Sequence, residues 1–146
     1  MNKILIMMLM VVGIVFSNPY KDITSTGSYI KAFSDEGGVG LVTVDDGIVV
    51  LVASLNVGYN EHGSRPVILS YGDDQVFMCE ATYVSTTNDG SRIYDLNNDF
   101  NIISILKKNT SVDVVILNSK YGGDDGLWGQ TIPLSGYTRI YNSLYK

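Results

Sequence analysis

The segment Ile48–Leu55, with the sequence IVVLVASL, constrains the fold most strongly, because it is almost wholly apolar and rich in β-branched residues. Such residues favour strands, and an uninterrupted apolar run is typical of a strand that is covered on both faces. We therefore predict that this segment is a central strand of a larger sheet.

Short runs of strand-forming residues recur along the chain and are separated by turn residues. Asp45-Asp46-Gly47 stands directly before the central strand and predicts a tight hairpin, in which Gly47 is free to adopt a positive φ. By the same reading, further strands are predicted at Tyr29–Phe33, Val39–Val44, Pro66–Tyr71, Gln75–Val84, Arg92–Leu96, Val112–Leu117 and Leu127–Leu134.

Two segments have helical periodicity instead. Asn97–Lys108 spaces its apolar residues three apart and ends in two lysines, which suit the carboxyl end of a helix. A second helix is predicted after Ser135, which we expect to cap it. This helix is amphipathic, with its apolar residues on one face. The predicted fold is mainly β: an antiparallel β-sandwich or curved sheet with one short internal helix and a C-terminal amphipathic helix.

The first 17 residues have the features of a cleavable signal peptide. Lys3 precedes an uncharged apolar run of 13 residues, Ile4–Phe16, which is too short to span a bilayer as a helix. Cleavage is predicted between Ser17 and Asn18, which leaves residues 18–146 as a single β-rich globular domain. The alternatives are an uncleaved N-terminal anchor and a buried core helix.

Charge limits the classes of partner. The whole chain has a net charge of −5, and removal of Lys3 with the signal leaves 9 basic and 15 acidic residues, a net charge of −6. An acidic chain is poorly suited to binding phosphate backbones, so we predict no nucleic-acid partner. We also expect no stable membrane anchor once the signal is removed.

The chain contains one cysteine and one histidine, which excludes an internal disulfide and a Cys/His zinc site. Cys79 shares a predicted strand face with Phe77, Ala81 and Tyr83, so we place it in the core; an intermolecular disulfide or a reactive thiol is the alternative. His62 lies in a glycine-containing segment and is predicted to be a solvated loop residue rather than a catalytic base.

Three acidic pairs, each beside a glycine, are Asp45-Asp46, Asp73-Asp74 and Asp124-Asp125. None matches the calcium-binding EF-hand loop, and aspartate beside glycine is ordinary turn chemistry. We therefore predict turns and no cofactor or metal. Calcium binding at these loop ends and a pair of carboxylates acting in glycoside hydrolysis remain alternatives.

All ten tyrosines lie beyond the predicted signal, and most of them are expected to pack in strands or in the core. A large aromatic residue beside a flexible acidic loop is typical of an exposed contact site. The predicted binding surface is therefore formed by Tyr121, Asp124, Asp125 and Trp128.

Two segments of the last third carry a resemblance to a known family. They are ILKKNTSVDVVIL, at positions 105–117, and TIPLSGYTRIYNSL, at positions 131–144. This part of the chain resembles the invasion-associated locus B family of exported bacterial proteins. The resemblance implies a small exported β-sandwich closed by a helix, and it implies no catalytic residues. Members of that family typically have a cysteine pair, whereas this chain has Cys79 alone.

Taken together, these features predict a small exported protein, periplasmic or extracellular, that is not an enzyme and that binds a protein partner in the bacterial envelope or outside the cell. A phage-encoded envelope protein fits the same features. The alternatives are a small carbohydrate- or calcium-binding module and, with less support, a carboxylate-dependent hydrolase.

Overall fold

The computed structural model describes residues 24–26, 28–54, 63–96, 99–117 and 126–145. Within these residues the chain forms nine strands and two helices. The strands are β1 (Thr24–Thr26), β2 (Tyr29–Phe33), β3 (Val39–Asp45), β4 (Ile48–Ala53), β5 (Ser64–Tyr71), β6 (Gln75–Thr86), β7 (Arg92–Leu96), β8 (Ser111–Ile116) and β9 (Trp128–Pro133). The helices are α1 (Asp99–Lys108) and α2 (Tyr137–Leu144).

The nine strands form one sheet in the order β1-β2-β3-β4-β7-β6-β5-β8-β9, and every neighbouring pair is antiparallel. The sheet curls until its last strand approaches its beginning. Gln130 of β9 is hydrogen bonded to Ser34 and Glu36, in the turn between β2 and β3. The sheet is therefore nearly closed, which confirms the predicted mainly β fold with one internal and one C-terminal helix.

The main core fills the concave side of the sheet, and both helices pack against it. Inward-facing residues of the strands meet Ile102 and Leu106 of α1 and Tyr137 and Tyr141 of α2, and all four are buried. Because the helices close this side, burial of their apolar faces contributes to the same core as burial of the sheet.

Strand β4 contributes to two separate apolar clusters. Val49 and Leu51 belong to the main core, whereas Val50 and Val52 belong to a second cluster on the opposite face of the sheet. All four side chains have no exposed surface. The prediction that Ile48–Leu55 contains a central strand covered on both faces is thereby confirmed, although the strand itself ends at Ala53.

Glycine sets the backbone conformation at two positions, in the β3–β4 hairpin and directly before α2. Gly47 turns the β3–β4 hairpin at a φ of 89°, as predicted. Gly136 precedes α2 at a φ of 91° and takes the N-cap position, with no side-chain cap. The prediction that Ser135 caps this helix is therefore wrong, because the left-handed residue places the cap one position later.

Several strand boundaries differ from the sequence prediction by one or two residues, and one strand is new. Strand β5 begins at Ser64 rather than Pro66, and its register with β6 pairs Ser64 with Thr82. Strand β1 was not predicted, because its sequence Thr-Ser-Thr is polar and carries no apolar alternation. Neither helix of the described part is long and apolar enough to cross a membrane.

Candidate binding surface

Most of the residues proposed from sequence as a contact surface lie outside the described residues. This applies to Tyr121, Asp124 and Asp125, and also to His62 and to the predicted cleavage site at Ser17 and Asn18. Those predictions are not tested by the structure and stay predictions.

Trp128 is the one proposed surface residue that the structure describes. It opens β9, is half-buried and packs against the main core. A Cβ atom added to Gly38 would lie 3.3 Å from two atoms of the indole ring, so the ring lies directly against this glycine. One face of Trp128 is thus used for packing, which leaves only part of the side chain available for a partner.

The acidic pairs that the structure describes lie in turns. Asp45 accepts a hydrogen bond from the backbone N–H of Asp46, at 2.8 Å, and Asp46 accepts one from the hydroxyl of Tyr141. Asp74 has a positive φ of 58° in the turn between β5 and β6, which agrees with a turn role. Among the residues that the structure describes, no three acidic, histidine or cysteine side chains come together as a metal site would require.

Cys79 lies in the core, as predicted. It is 4% exposed, and Ala81 beside it on the same face is fully buried. Burial among apolar side chains makes this thiol a small core residue. The opposite face of the same strand carries Met78 and Glu80, and both are exposed.

On the convex face of the sheet, the pairing of β5 with β6 and β8 aligns the outward side chains of these strands in rows. We call this surface the outer face. Its middle row crosses adjacent strands as directly opposed residues: Met78 of β6, Ile68 of β5, Val115 of β8 and Gly129 of β9. The row on one side of it consists of Val76, Ser70, Asp113 and Thr131. On the other side, Glu80 is opposite Pro66.

The centre of the outer face is apolar and open to solvent. Val76 is 68% exposed and Met78 is 62% exposed, while Ile68 and Val115 beside them are half-buried. Because neighbouring strands are about 4.8 Å apart, the three-strand row spans roughly 10 Å. Large apolar side chains grouped at this exposure are typical of interaction sites.

Acidic groups flank this apolar centre. Glu80 lies at one side and Asp113 at the other, where its carboxylate accepts a hydrogen bond from the hydroxyl of Thr131. No outward-facing residue in the three described rows is basic. The outer face is therefore an apolar centre with a negative rim.

Sequence reasoning recognised one strand of this surface but not the surface itself. The alternation in Gln75–Val84 places Met78 and Glu80 opposite Cys79, yet it does not show which residues of other strands lie beside them. Ile68 and Val115 become neighbours of Met78 only through the pairing of β5 with both β6 and β8. The only signal in the sequence is that Val76 and Met78 are too apolar for an ordinary solvent-facing row.

A column of tyrosines fastens α2 to the β3–β4 hairpin, away from the outer face. The hydroxyls of Tyr137 and Thr43 lie 2.6 Å apart in the core, Tyr141 donates to Asp46, and Tyr145 donates to the carbonyl oxygen of Ser28. Lys107 of α1 lies over the ring of Tyr141, with Nζ 3.7 Å from its centroid. This column is a structural connection between the first strands and the last helix.

The environment of this column raises the pKa of its hydroxyls. Burial is the main cause at all three tyrosines. For Tyr141, burial together with the hydrogen bond and negative charge of Asp46 raises the pKa to about 12. The neutral hydroxyls are therefore the forms that the fold favours.

Asp89 lies in the turn between β6 and β7. Burial alone would raise its pKa, but hydrogen bonds from Thr87 and Ser91 outweigh that effect and hold the pKa below its usual value. The ionised carboxylate thus stabilises this turn.

Comparison with known proteins gives one structural similarity. The crystal structure of invasion associated protein B from Bartonella henselae is similar over 85% of this chain and 96% of that chain, at 14% sequence identity and a TM-score of 0.48. No protein-family model matches the chain, and no curated protein matches it either. The assignment of the resemblance to the last third is not tested by these comparisons and stays a prediction.

Proposed function

We propose that this chain is a small, exported, non-catalytic β protein that binds a protein partner through the outer face of β5, β6 and β8. The observation that carries the proposal is the exposure of Val76 and Met78 at the centre of that face. Exposed groups of large apolar side chains mark interaction sites, so the position of these two on the convex surface favours a contact role.

Burial of these side chains supplies the affinity. Full burial of a large apolar side chain contributes about 1.5–3 kcal/mol, and two side chains that are about two-thirds exposed retain roughly 1–2 kcal/mol each for a partner. Ile68 and Val115 widen the contact without adding a new polar group. A partner that covers both side chains therefore gains about 2–4 kcal/mol, enough to lower its dissociation constant by roughly one and a half to three orders of magnitude.

The rim determines the chemistry of the partner. Glu80 and Asp113 place negative charge on both sides of the apolar row, so a matching surface has an apolar centre and basic residues around it. A second copy of this chain would bring the same carboxylates toward one another. We therefore assign the outer face to a different protein with a basic rim.

The proposal places this binding outside the cytoplasm, in the bacterial envelope or beyond it, and a phage-encoded protein would act in the same place. Its support is the predicted signal peptide at residues 1–17. Intact mass spectrometry of the exported protein should find a chain that begins at Asn18. Retention of Met1–Ser17 would refute the predicted cleavage.

The binding proposal is tested with two matched variants. Met78→Glu puts a charge into the apolar centre, whereas Asn142→Glu puts the same charge on an exposed position of α2. Affinity capture from an envelope extract should recover a partner with the wild-type chain and with Asn142→Glu, but not with Met78→Glu. The purified partner should bind Met78→Glu about tenfold or more weakly, because about 1–2 kcal/mol of apolar burial is lost.

Salt provides the second measurement. Binding through a negative rim and a basic partner should weaken as ionic strength rises, chiefly through slower association. Thermal melting should show that both variants keep the wild-type fold, since both positions are exposed. Capture that Met78→Glu leaves unchanged would refute the assignment of the outer face.

A further inference from the structure

A second apolar surface lies on the convex side of the sheet, across the strands at its beginning. Six side chains form it, and none is more than 3% exposed: Phe33, Val42, Val44, Val50, Val52 and Ile93. We call this surface the second face. Its six members come from β2, β3, β4 and β7, whereas the outer face lies on β5, β6, β8 and β9, so the two surfaces share no strand.

The second face is covered, although no helix or strand of the described part lies over it. The cluster on this side contains strand residues alone, because both described helices pack on the concave side. The cover therefore comes from outside the described residues. There, the sequence has one long apolar run, Ile4–Phe16, and the proposed cleavage after Ser17 removes it. The exported chain would thus present the second face to solvent.

The apolar side chains of the second face are contiguous. One row crosses it from Phe33 of β2 through Gly40 to Val52 and Ile93, each directly opposite the next. A Cβ atom at Gly40 would lie 2.0 Å from the Phe33 ring, so the ring occupies the space above the glycine and closes the gap in the row. Contiguous apolar patches are rare on soluble monomers and mark protein interfaces. A surface of this kind needs a new cover once the first 17 residues are removed.

The neighbouring row of the second face carries charge at both ends. It crosses the sheet as Lys31 of β2, Val42 of β3, Val50 of β4 and Asp95 of β7, each directly opposite the next. Neighbouring strands are about 4.8 Å apart, so Lys31 and Asp95 stand roughly 14 Å apart with the two valines between them. Opposite charges therefore lie at equal distances from the midpoint between β3 and β4.

We propose that a second copy of this chain covers the second face of the exported protein, related to the first by a twofold axis that runs along the strands between β3 and β4. Such an axis places each end of the charged row opposite the other end. Lys31 of one copy then faces Asp95 of the partner subunit, and the apolar rows of the two sheets pack against each other.

The arrangement of charge favours a second copy over a different protein. The two ends of the charged row have opposite signs, so the face is complementary to itself. On the outer face, Glu80 and Asp113 have the same sign on both sides, which opposes self-association. The inference rests on the proposed removal of residues 1–17, but it does not depend on the assignment of the outer face.

The oligomeric state of the exported chain is the first test. Intact mass spectrometry identifies the start of the purified chain, and sedimentation is then measured at about 100 µM protein, a concentration at which dimers of micromolar affinity are formed. We expect a chain that begins at Asn18 and a dimer that dissociates on dilution. A cleaved chain that stays monomeric overturns this inference but not the cleavage. Retention of Met1–Ser17 overturns both, since the second face then keeps its cover.

Exchanged charges test the twofold arrangement itself. In a dimer of Lys31→Glu two carboxylates meet at each end of the row, and in a dimer of Asp95→Lys two ammonium groups meet there. Each variant alone should therefore dimerise about a hundredfold or more weakly than the wild type. In an equimolar mixture of the two variants, every contact joins opposite charges again. The mixture should form a heterodimer of about wild-type affinity, and the double variant should form a homodimer of about the same affinity.

The mixture also controls for folding, because only folded chains can restore the dimer. The inference is overturned if either single variant dimerises as tightly as the wild type, or if the mixture stays monomeric while both variants melt cooperatively. If the single variants do not melt cooperatively, the double variant decides: a dimer supports the inference and a monomer overturns it. Met78→Glu, on the outer face, should abolish partner capture and leave dimerisation unchanged, so failure of one proposal is distinguishable from failure of the other.

Discussion

The buried pair of hydroxyls between Tyr137 and Thr43 yields a quantitative prediction about stability. The two side chains are 2% and 1% exposed, and their oxygens lie 2.6 Å apart across 94 residues of sequence. Either substitution alone, Tyr137→Phe or Thr43→Val, leaves the other hydroxyl buried without this partner. Because both side chains are almost fully buried, water is poorly placed to supply a replacement bond.

The expected loss of stability follows from the cost of leaving one buried hydroxyl without its hydrogen-bond partner. An unsatisfied buried hydroxyl costs about 1–3 kcal/mol, whereas removal of both partners is nearly neutral. Each single variant should therefore lower the free energy of unfolding by about 1.5 kcal/mol. The double variant should lose no more than one single variant does, which gives a coupling energy of about 1.5–3 kcal/mol.

Urea unfolding, monitored by tyrosine fluorescence or circular dichroism, measures the free energy of unfolding of the wild type, the two single variants and the double variant. With an m-value of about 2 kcal/mol/M, each single substitution should lower the midpoint by roughly 0.7 M, and the double variant should return part of that loss. The m-values should be unchanged, because neither substitution alters the surface that unfolding exposes. Additive losses in the double variant would refute the reasoning, since they would mean that the two hydroxyls do not stabilise each other.

Three further predictions concern single positions. Burial and Asp46 raise the pKa of Tyr141 to about 12, so the stability that its neutral hydroxyl contributes is complete below pH 10 and is lost as the pH rises toward 12. In an alkaline titration of the free energy of unfolding, Tyr141→Phe should therefore lose less stability than the wild type. Identical titrations would contradict this prediction. The pKa of Asp89 is lowered, so the stability that its ionised carboxylate contributes is present above the ordinary carboxylate pKa and is lost as the pH falls. Asp89→Asn should therefore make the melting temperature less sensitive to acid, as measured by thermal melting from pH 6 to pH 2. In β3, a Cβ atom at Gly40 would lie 2.0 Å from the ring of Phe33, so Gly40→Ala should cost about 1–3 kcal/mol in urea unfolding. Part of that cost should be recovered when Phe33→Leu is added, and no recovery would show that the ring is not the cause.

The fold class could be predicted because local patterns in this sequence agree with the final structure. The apolar run in β4 demands cover on both faces, and Gly47 supplies the backbone conformation that its hairpin needs. The boundaries of helices and strands are harder to predict where they depend on the backbone conformation of a single residue. The start of α2 depends on the left-handed conformation of Gly136, which no side-chain pattern specifies.

The outer face could not be predicted in the same way, because it depends on pairing between distant segments. Met78 gains Ile68 as a neighbour through one hairpin, but it gains Val115 only because β8 returns to the far side of β5. Composition identifies an aromatic residue such as Trp128 as a contact candidate, but it does not show that the ring is partly used for packing.

The tyrosine column between the last helix and the first hairpin also bears on how the chain is made. The bond from Tyr141 to Asp46 and the bond from Tyr145 to Ser28 join positions that are 95 and 117 residues apart. At a synthesis rate of about 5–20 residues per second, roughly 5–20 s pass between the emergence of β3 and the arrival of α2. During that interval the inner core lacks its closing helix, and contacts of such long range form slowly. The tyrosine column is therefore a contact that can form only after α2 has been made, however much of the sheet has already paired.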